Sequence, residues 1–89
     1  MEFEWDPAKH EMNLRTRGIG FDEAAQIFDA EVIVWPDMRA DYGESRINGT
    51  GEADGKILRV VYTIRGRTVR IITAWRASRK DRERWQIRS

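Results

Sequence analysis

One stretch of twenty residues, ILRVVYTIRGRTVRIITAWR at positions 57–76, constrains the fold of this chain more than any other segment. Val, Ile, Tyr, Thr and Trp dominate it, and these residue types suit the pleated surface of a β-sheet. Gly66 and Arg67 in its middle fit a two-residue hairpin loop, because the first central position of such a loop favours the positive φ that glycine adopts. The stretch therefore predicts two antiparallel strands joined by a tight turn.

The two-residue loop also predicts which residues pair across the hairpin. With Arg65 opposite Thr68, one face is largely apolar, with the pairs Ile64–Val69, Tyr62–Ile71, Val60–Thr73 and Leu58–Trp75. The other face is half apolar and basic, with the pairs Thr63–Arg70, Val61–Ile72, Arg59–Ala74 and Ile57–Arg76. A slip of one residue would mix the two sets. We therefore expect one face toward the core and one arginine-bearing face suited to a polyanion.

The charge of the chain is divided unequally between its two parts. Residues 1–55 carry 5 Lys/Arg against 13 Asp/Glu, a formal charge of −8, whereas residues 56–89 carry 11 against 2, a formal charge of +9. Such a division points to a nucleic-acid surface made mainly by the C-terminal part. The alternative is that acidic helices neutralise a basic sheet within the fold, because charge blocks are often solvated faces.

The length of 89 residues predicts one domain over residues 1–89, with a modest core. The chain has no cysteine, which excludes disulfides and Cys-ligated zinc and fits a reducing compartment. No apolar run approaches the length of a membrane span, and the acidic N-terminus lacks a signal-peptide pattern. We expect a cytoplasmic protein that does not contact a membrane.

The N-terminal part predicts a short edge strand over residues 2–5, followed by two helices. Asp6 and Pro7 are typical of a helix start, and Gly18 is typical of a helix end. The second helix, over residues 21–29, is predicted by a one-sided apolar stripe of Phe21, Ala24, Ala25 and Phe28. The single histidine, His10, is expected on an exposed face of the first helix rather than in a ligand site.

Two more strands are predicted over residues 31–35 and 45–51, with an irregular loop at 37–44 between them. A four-residue turn after the second strand would place Ile47 opposite Val60 on the apolar face. Arg46 and Glu44 would then lie on the basic face. Ser78 and Asp81 fit a capping box, which predicts a last helix anchored by Trp85, with a basic surface of Arg79, Lys80, Arg82 and Arg84.

The predicted basic face brings together one carboxylate and four guanidinium groups: Glu44, Arg46, Arg59, Arg70 and Arg76. This set suits RNA cleavage without a metal, because a base can take the 2′-OH proton and cations can stabilise the pentavalent phosphate. The alternative is a surface ion pair of Glu44 with Arg46 that contributes little. The sequence has no metal-ligand spacing and no phosphate-binding glycine loop, so it predicts neither a metal nor another cofactor.

Taken in order, these segments resemble the BrnT family of bacterial type II toxins, whose fold is similar to that of the RelE ribonucleases. The resemblance covers nearly the whole chain and includes Phe3-Glu4-Trp5-Asp6, Gly43-Glu44-Ser45-Arg46, Val60-Val61-Tyr62-Thr63, Arg70-Ile71-Ile72-Thr73-Ala74 and Arg76-Ala77. It implies an α+β, RelE-like fold, with N-terminal helices packed on one face of a small twisted antiparallel sheet and a C-terminal helix.

The resemblance also implies a function. The protein would be an endoribonuclease toxin that cleaves RNA, inhibits translation and is neutralised by a BrnA-type antitoxin, in a possible hetero-oligomer. The residues and the resemblance together predict two sets of site residues. The catalytic set is Glu44, Arg46 and Arg76. The RNA-binding set is Arg59, Arg70, Arg79 and Lys80.

Two positions depart from the family pattern. Arg17 stands where the family usually has a histidine, and Trp75 stands where it usually has an arginine. If either position supports catalysis in the family, this enzyme is attenuated. The predicted register places Trp75 on the apolar face, and in that case the change at this position would affect packing only. The alternatives are therefore a catalytically dead RNA- or protein-binding module on the same fold, and a structural subunit whose basic face docks an acidic partner.

Overall fold

The computed structural model describes residues 1–39 and 43–88. Its elements are β1 (Glu2–Glu4), α1 (Pro7–Arg17), α2 (Phe21–Ala24), a 3₁₀ turn (Ala25–Asp29), β2 (Ile33–Pro36), β3 (Ile47–Ala53), β4 (Lys56–Arg65), β5 (Thr68–Arg76) and α3 (Arg79–Gln86). The strands form one sheet in the order β1-β5-β4-β3-β2. The α+β class is confirmed, and the sheet is mixed because β1 pairs with β5 in parallel. Within the described ranges, no helix has the length and apolar character needed to cross a membrane.

The core lies between one face of the sheet and the segment that follows α1. Phe21, Ala24 and Ile27 are at most 1% exposed, and they belong to one cluster with the sheet residues Leu58, Val60, Tyr62, Val69, Ile71 and Ala74. The predicted stripe omitted Ile27 because it assumed α-helical spacing throughout. The chain instead tightens into a 3₁₀ turn at Ala25, and three residues per turn align Ile27 with Phe21 and Ala24.

Both ends of α1 are confirmed, but the expected position of His10 is wrong. The Asp6 side chain accepts from the Ala8 N–H, and Gly18 ends the helix with φ 73°. His10 is half-buried, and its ring stacks on Trp5 with 5.8 Å between the centroids. Its Nδ1 accepts a hydrogen bond of 2.9 Å from the Phe21 N–H. It therefore caps the first turn of α2, which begins after Gly20 and has no side-chain cap of its own.

The β4–β5 hairpin keeps the predicted register only next to its turn. The pairs from Arg65–Thr68 to Tyr62–Ile71 are as predicted, but Ile72 is an extra residue in β5, and Val61 therefore pairs with Thr73. This β-bulge shifts every later pair by one position.

The bulge moves two side chains that matter for the site. Trp75 lies opposite Arg59, so its predicted place on the apolar face is wrong. Arg76 lies opposite the buried Leu58, so the expectation that it shares the basic face with Arg59 is also wrong.

The turn between β3 and β4 contains two residues rather than the four predicted. Asp54 and Gly55 both have positive φ, at 50° and 76°, as a tight hairpin turn of this type requires. Ile47 therefore pairs with Tyr62 instead of Val60. Because the error is two residues, every β3 side chain keeps its predicted face. Of the loop predicted at 37–44, positions 40–42 lie outside the described residues.

The helix α3 packs on the face of the sheet opposite the core. We call this the outer face, and it carries Asn48, Thr50, Arg59, Thr63 and Trp75. The capping box of Ser78 and Asp81 is confirmed, and Trp85 is buried as the predicted anchor. The predicted basic face is therefore partly covered by the chain itself.

The strand β1 pairs with only three residues of β5, which are Thr68, Val69 and Arg70. The helix α1 lies beside the rest of that edge of β5. The side chain of Asn13 is buried there, and its Nδ2 donates to the Ala74 carbonyl at 2.9 Å and to the Ile19 carbonyl at 2.8 Å. These two bonds fix α1 against the second half of β5.

Candidate functional site

Glu44 lies between two arginines beside the outer face. Its Oε2 accepts from the Arg46 Nε at 3.3 Å, and its Oε1 accepts from the Arg65 Nη2 at 3.5 Å. The Thr63 hydroxyl holds the same segment by donating to the Ser45 carbonyl at 2.7 Å. The structure thus brings together Glu44 and Arg46, two of the predicted catalytic residues. Arg65 was missed, although its alternation with Thr63 along β4 would have placed it on this side.

An alternating row of arginine and tryptophan side chains crosses the outer face. We call it the Arg–Trp stack, and its members are Arg17, Trp75, Arg59, Trp35 and Arg84. Successive guanidinium carbons and ring centroids are separated by 5.2, 5.3, 5.3 and 4.4 Å. These separations are within the range of cation–π attraction, so the stack links α1, β5, β4, β2 and α3.

Arg59 is the central member of the stack and has two further polar partners. Its Nε and Nη2 donate to the Asn48 Oδ1 at 3.1 and 2.9 Å. Its Nη1 lies 3.7 Å from the Asp81 carboxylate, whose side chain is 5% exposed, against 22% for Arg59. Arg59, which was predicted to bind RNA, is therefore held between α3 and two tryptophans.

Arg76 lies in a different place from Glu44 and Arg46, since it is opposite Leu58 whereas Glu44 bonds Arg65 at the other end of β4. It lines an open depression of about 680 Å³ together with Arg17, Arg39, Thr73 and Trp75. Arg17 Nη1 donates to the Thr73 hydroxyl at 3.2 Å and to the Ala74 carbonyl at 3.4 Å. The predicted catalytic set is thus divided between two locations.

The remaining residues predicted to bind RNA lie at two separate places. Arg70 is near the β4–β5 turn, 3.7 Å from the Glu4 carboxylate of β1. Arg79 and Lys80 are exposed in the first turn of α3, where Arg79 pairs with Glu83 across one helical turn at 3.3 Å. Arg70 lies opposite Thr63 and therefore on the outer face, as predicted, whereas Arg79 and Lys80 lie on α3.

Asp37 is a buried acid whose pKa is changed by its surroundings. Its side chain is 1% exposed, and the Arg39 guanidinium bonds both carboxylate oxygens at 2.8 and 2.9 Å. This side-chain bond lowers the pKa of Asp37, with help from the Arg39 backbone N–H and the charge of Arg59, although burial acts in the opposite direction. Burial raises the pKa of Tyr62, whose ring packs edge-on against Phe28.

Comparison with known proteins adds one finding. A family model described as the ribonuclease toxin BrnT of a type II toxin–antitoxin system matches residues 5–81. The matched region contains Glu44 with its partners Arg46 and Arg65, which we call the Glu44 cluster, and also the residues of the depression. No curated protein matches the chain.

Proposed function

The chain belongs to the BrnT family of type II toxin–antitoxin ribonucleases, and we propose that it is a metal-independent endoribonuclease whose cleavage of RNA inhibits translation. The contact of Glu44 with Arg46 and Arg65 carries this proposal. It provides a carboxylate with fixed orientation beside two cations, which is what cleavage by the neighbouring 2′-hydroxyl needs.

In this mechanism Glu44 accepts the proton of the 2′-hydroxyl as its oxygen attacks the adjacent phosphorus. The bond from phosphorus to the 5′-oxygen breaks, and that oxygen leaves with a proton from solvent. The products are a 2′,3′-cyclic phosphate and a 5′-hydroxyl. Arg46 stabilises the charge of the pentavalent phosphate. Arg76 contacts the RNA from the depression beside Trp75, because it lies apart from Glu44.

The test is cleavage of single-stranded RNA by the purified protein in the presence of EDTA. Glu44→Gln and Arg46→Gln should each reduce cleavage about 10²-fold or more, as expected for loss of a proton acceptor or a charge-stabilising donor. Glu52→Gln is the matched control, because Glu52 is an exposed acid of β3 outside the cluster. Intact RNA with the wild-type protein would instead support a binding module on the same fold.

The activity in cells is tested by inducing the chain without its partner. Growth arrest accompanied by RNA cleavage supports the toxin. Normal growth with intact RNA contradicts it. The Glu44→Gln variant, expressed to the same level, should allow normal growth.

We further propose that the partner is a BrnA-type antitoxin that masks the basic residues. The charge of +9 on residues 56–89 favours an acidic partner and speeds its encounter with the toxin. The partner should contact at least two members of the set Arg59, Arg70, Arg76, Arg79 and Lys80, and the complex should not bind RNA at low salt. A complex that keeps full RNA affinity would contradict masking.

A further inference from the structure

Two guanidinium groups converge on the depression beside Trp75 without a neutralising acid. Neither Arg17 nor Arg76 forms an ion pair with a carboxylate in the described part of the chain. Arg46, Arg59, Arg65, Arg70, Arg79 and Arg88 all do. Among residues 1–39 and 43–88, no acid lines the depression.

We propose that this depression is a phosphate subsite, in which Arg17 and Arg76 bind a phosphodiester of the RNA strand several nucleotides away from the one that is cleaved. The inference rests on the proposed function, since it takes the ligand to be RNA. It gives a binding role to Arg17 and Trp75, the two positions at which the chain departs from the family pattern.

Arg17 is pre-oriented for this role. Its guanidinium lies over the Trp75 ring, and its Nη1 is fixed by the Thr73 hydroxyl and the Ala74 carbonyl. The Nε and Nη2 donors point to no acceptor among the described residues, and a guanidinium fork of this kind matches two phosphate oxygens. Because the side chain is already held, binding restricts it less than it would restrict a free arginine.

A second, smaller depression extends this surface along β5. Its volume is about 310 Å³, and it shares Arg17 and Thr73 with the first while adding Lys9 and Thr16 of α1. The two depressions together follow the edge of β5 that α1 covers, and four cations line them: Lys9, Arg17, Arg76 and Arg39, the last of which is paired with Asp37. A single strand with a phosphate at each nucleotide fits such a row of charges.

The centre of the outer face offers no comparable path within residues 1–39 and 43–88. It is filled by Arg59 between two tryptophans, and α3 lies over it with the carboxylate of Asp81 against Arg59. The RNA would therefore pass the edge of the stack at Arg17 rather than cross the middle of the sheet.

The experiment measures affinity for a short single-stranded RNA with 2′-O-methyl groups, which cannot be cleaved through the 2′-oxygen, at several salt concentrations. Each lost phosphate contact should reduce the slope of log affinity against log salt by about 0.7. Arg17→Gln and Arg76→Gln should each show this reduction, together with a roughly tenfold loss of affinity at low salt. Arg15→Gln is the matched control, because Arg15 is an exposed arginine in the same last turn of α1 and lines neither depression.

A second set of variants tests the pre-orientation. Trp75→Leu should lower affinity less than Arg17→Gln, and adding it to Arg17→Gln should cause no further loss, because the ring acts through the guanidinium. Arg17→Lys keeps the charge but lacks the fork, so it should restore the salt slope without the full affinity. The thermal unfolding of each variant shows whether it is folded at the temperature of the assay.

The outcomes separate the subsite from the proposed function. If Arg17→Gln and Arg76→Gln bind like Arg15→Gln, the subsite is wrong even when the wild type cleaves RNA. If the slopes fall as expected while the wild type leaves cleavable RNA intact, the subsite stands and the ribonuclease proposal is wrong. A third measurement adds inorganic phosphate at the concentrations used for the salt series. If the phosphate removes the difference in affinity between the variants while the RNA stays bound, the depression binds free phosphate and not the RNA strand.

Discussion

The guanidinium carbon of Arg17 lies 5.2 Å from the centroid of the Trp75 ring. These two residues therefore contact one another, although they are far apart in sequence. A change at one of them alters the environment of the other. We expect Arg17 and Trp75 to behave as one energetic unit.

A double-mutant cycle on Arg17→Gln and Trp75→Leu tests this unit. The two changes should couple by about 0.5–1 kcal/mol in the free energy of unfolding, as expected for a cation–π contact near the surface. Urea denaturation of the four proteins measures it. A cycle of Arg15→Gln with Trp75→Leu should show no coupling, and equal coupling in both cycles would mean that the effect is general electrostatics.

Arg59→Ala should destabilise the protein by about 2 kcal/mol. The change leaves the buried Asp81 carboxylate without its cation and removes the filling between Trp35 and Trp75. The figure is below the range for fully buried pairs because Arg59 is partly exposed. Arg79→Ala is the control, since the Arg79 side chain is 88% exposed and should change stability by less than about 0.5 kcal/mol. Equal effects from both variants would show that α3 is not held through Arg59.

Asn13→Ala should cost about 2–3 kcal/mol of the free energy of unfolding. Both carbonyls that accept from Asn13, those of Ile19 and Ala74, would lose their side-chain donor in a buried place. Thr16→Ala removes a hydroxyl that bonds within the same helix, to the Met12 carbonyl at an exposed position, and should cost much less. The comparison uses chemical denaturation. A small loss at Asn13 would mean that water replaces its amide.

Asp37 should make stability fall in acid. Its pKa is lowered in the folded protein, chiefly by the Arg39 side chain. Its contribution is therefore complete above the unfolded pKa of about 3.9 and is lost as the pH falls through the lower folded value. Asp37→Asn should be less stable than the wild type at pH 7, and this difference should shrink as the pH falls below the unfolded pKa. Stability measured by urea denaturation across this range checks the expectation, and a constant difference between the two proteins would contradict it.

The sequence predicted the elements of this fold better than their exact registers. Helix caps are local, so Asp6, Gly18, Ser78 and Asp81 could be recognised from neighbouring residues alone. The bulge at Ile72 has no such signal, because Ile71 and Ile72 are equally suited to a strand and nothing nearby marks the extra residue. The Asp54-Gly55 turn did have a signal, since this dipeptide is favoured where both central residues need positive φ.

The sequence predicted only part of the candidate site, because the positions of its residues depend on the strand registers. Glu44 and Arg46 stayed on the expected face, because a register error of two residues preserves the face of a strand. Arg76 and Trp75 did not, because they follow the bulge. The contacts of Arg59 with Asp81 and of Arg17 with Trp75 join segments distant in the chain, and only the folded structure brings them together.

The attachment of Asn13 to the Ala74 carbonyl has a consequence for self-association. An uncovered strand edge is a template on which another chain can add a strand and begin to aggregate. Here α1 occupies the part of β5 that β1 does not reach, so the edge on that side is limited to β1, which has three residues. The opposite side ends in β2, which has four residues and finishes at Pro36, a residue with no N–H to offer an incoming strand. Both edges of the sheet therefore consist of short strands, which offer few free backbone groups to a second copy of the chain.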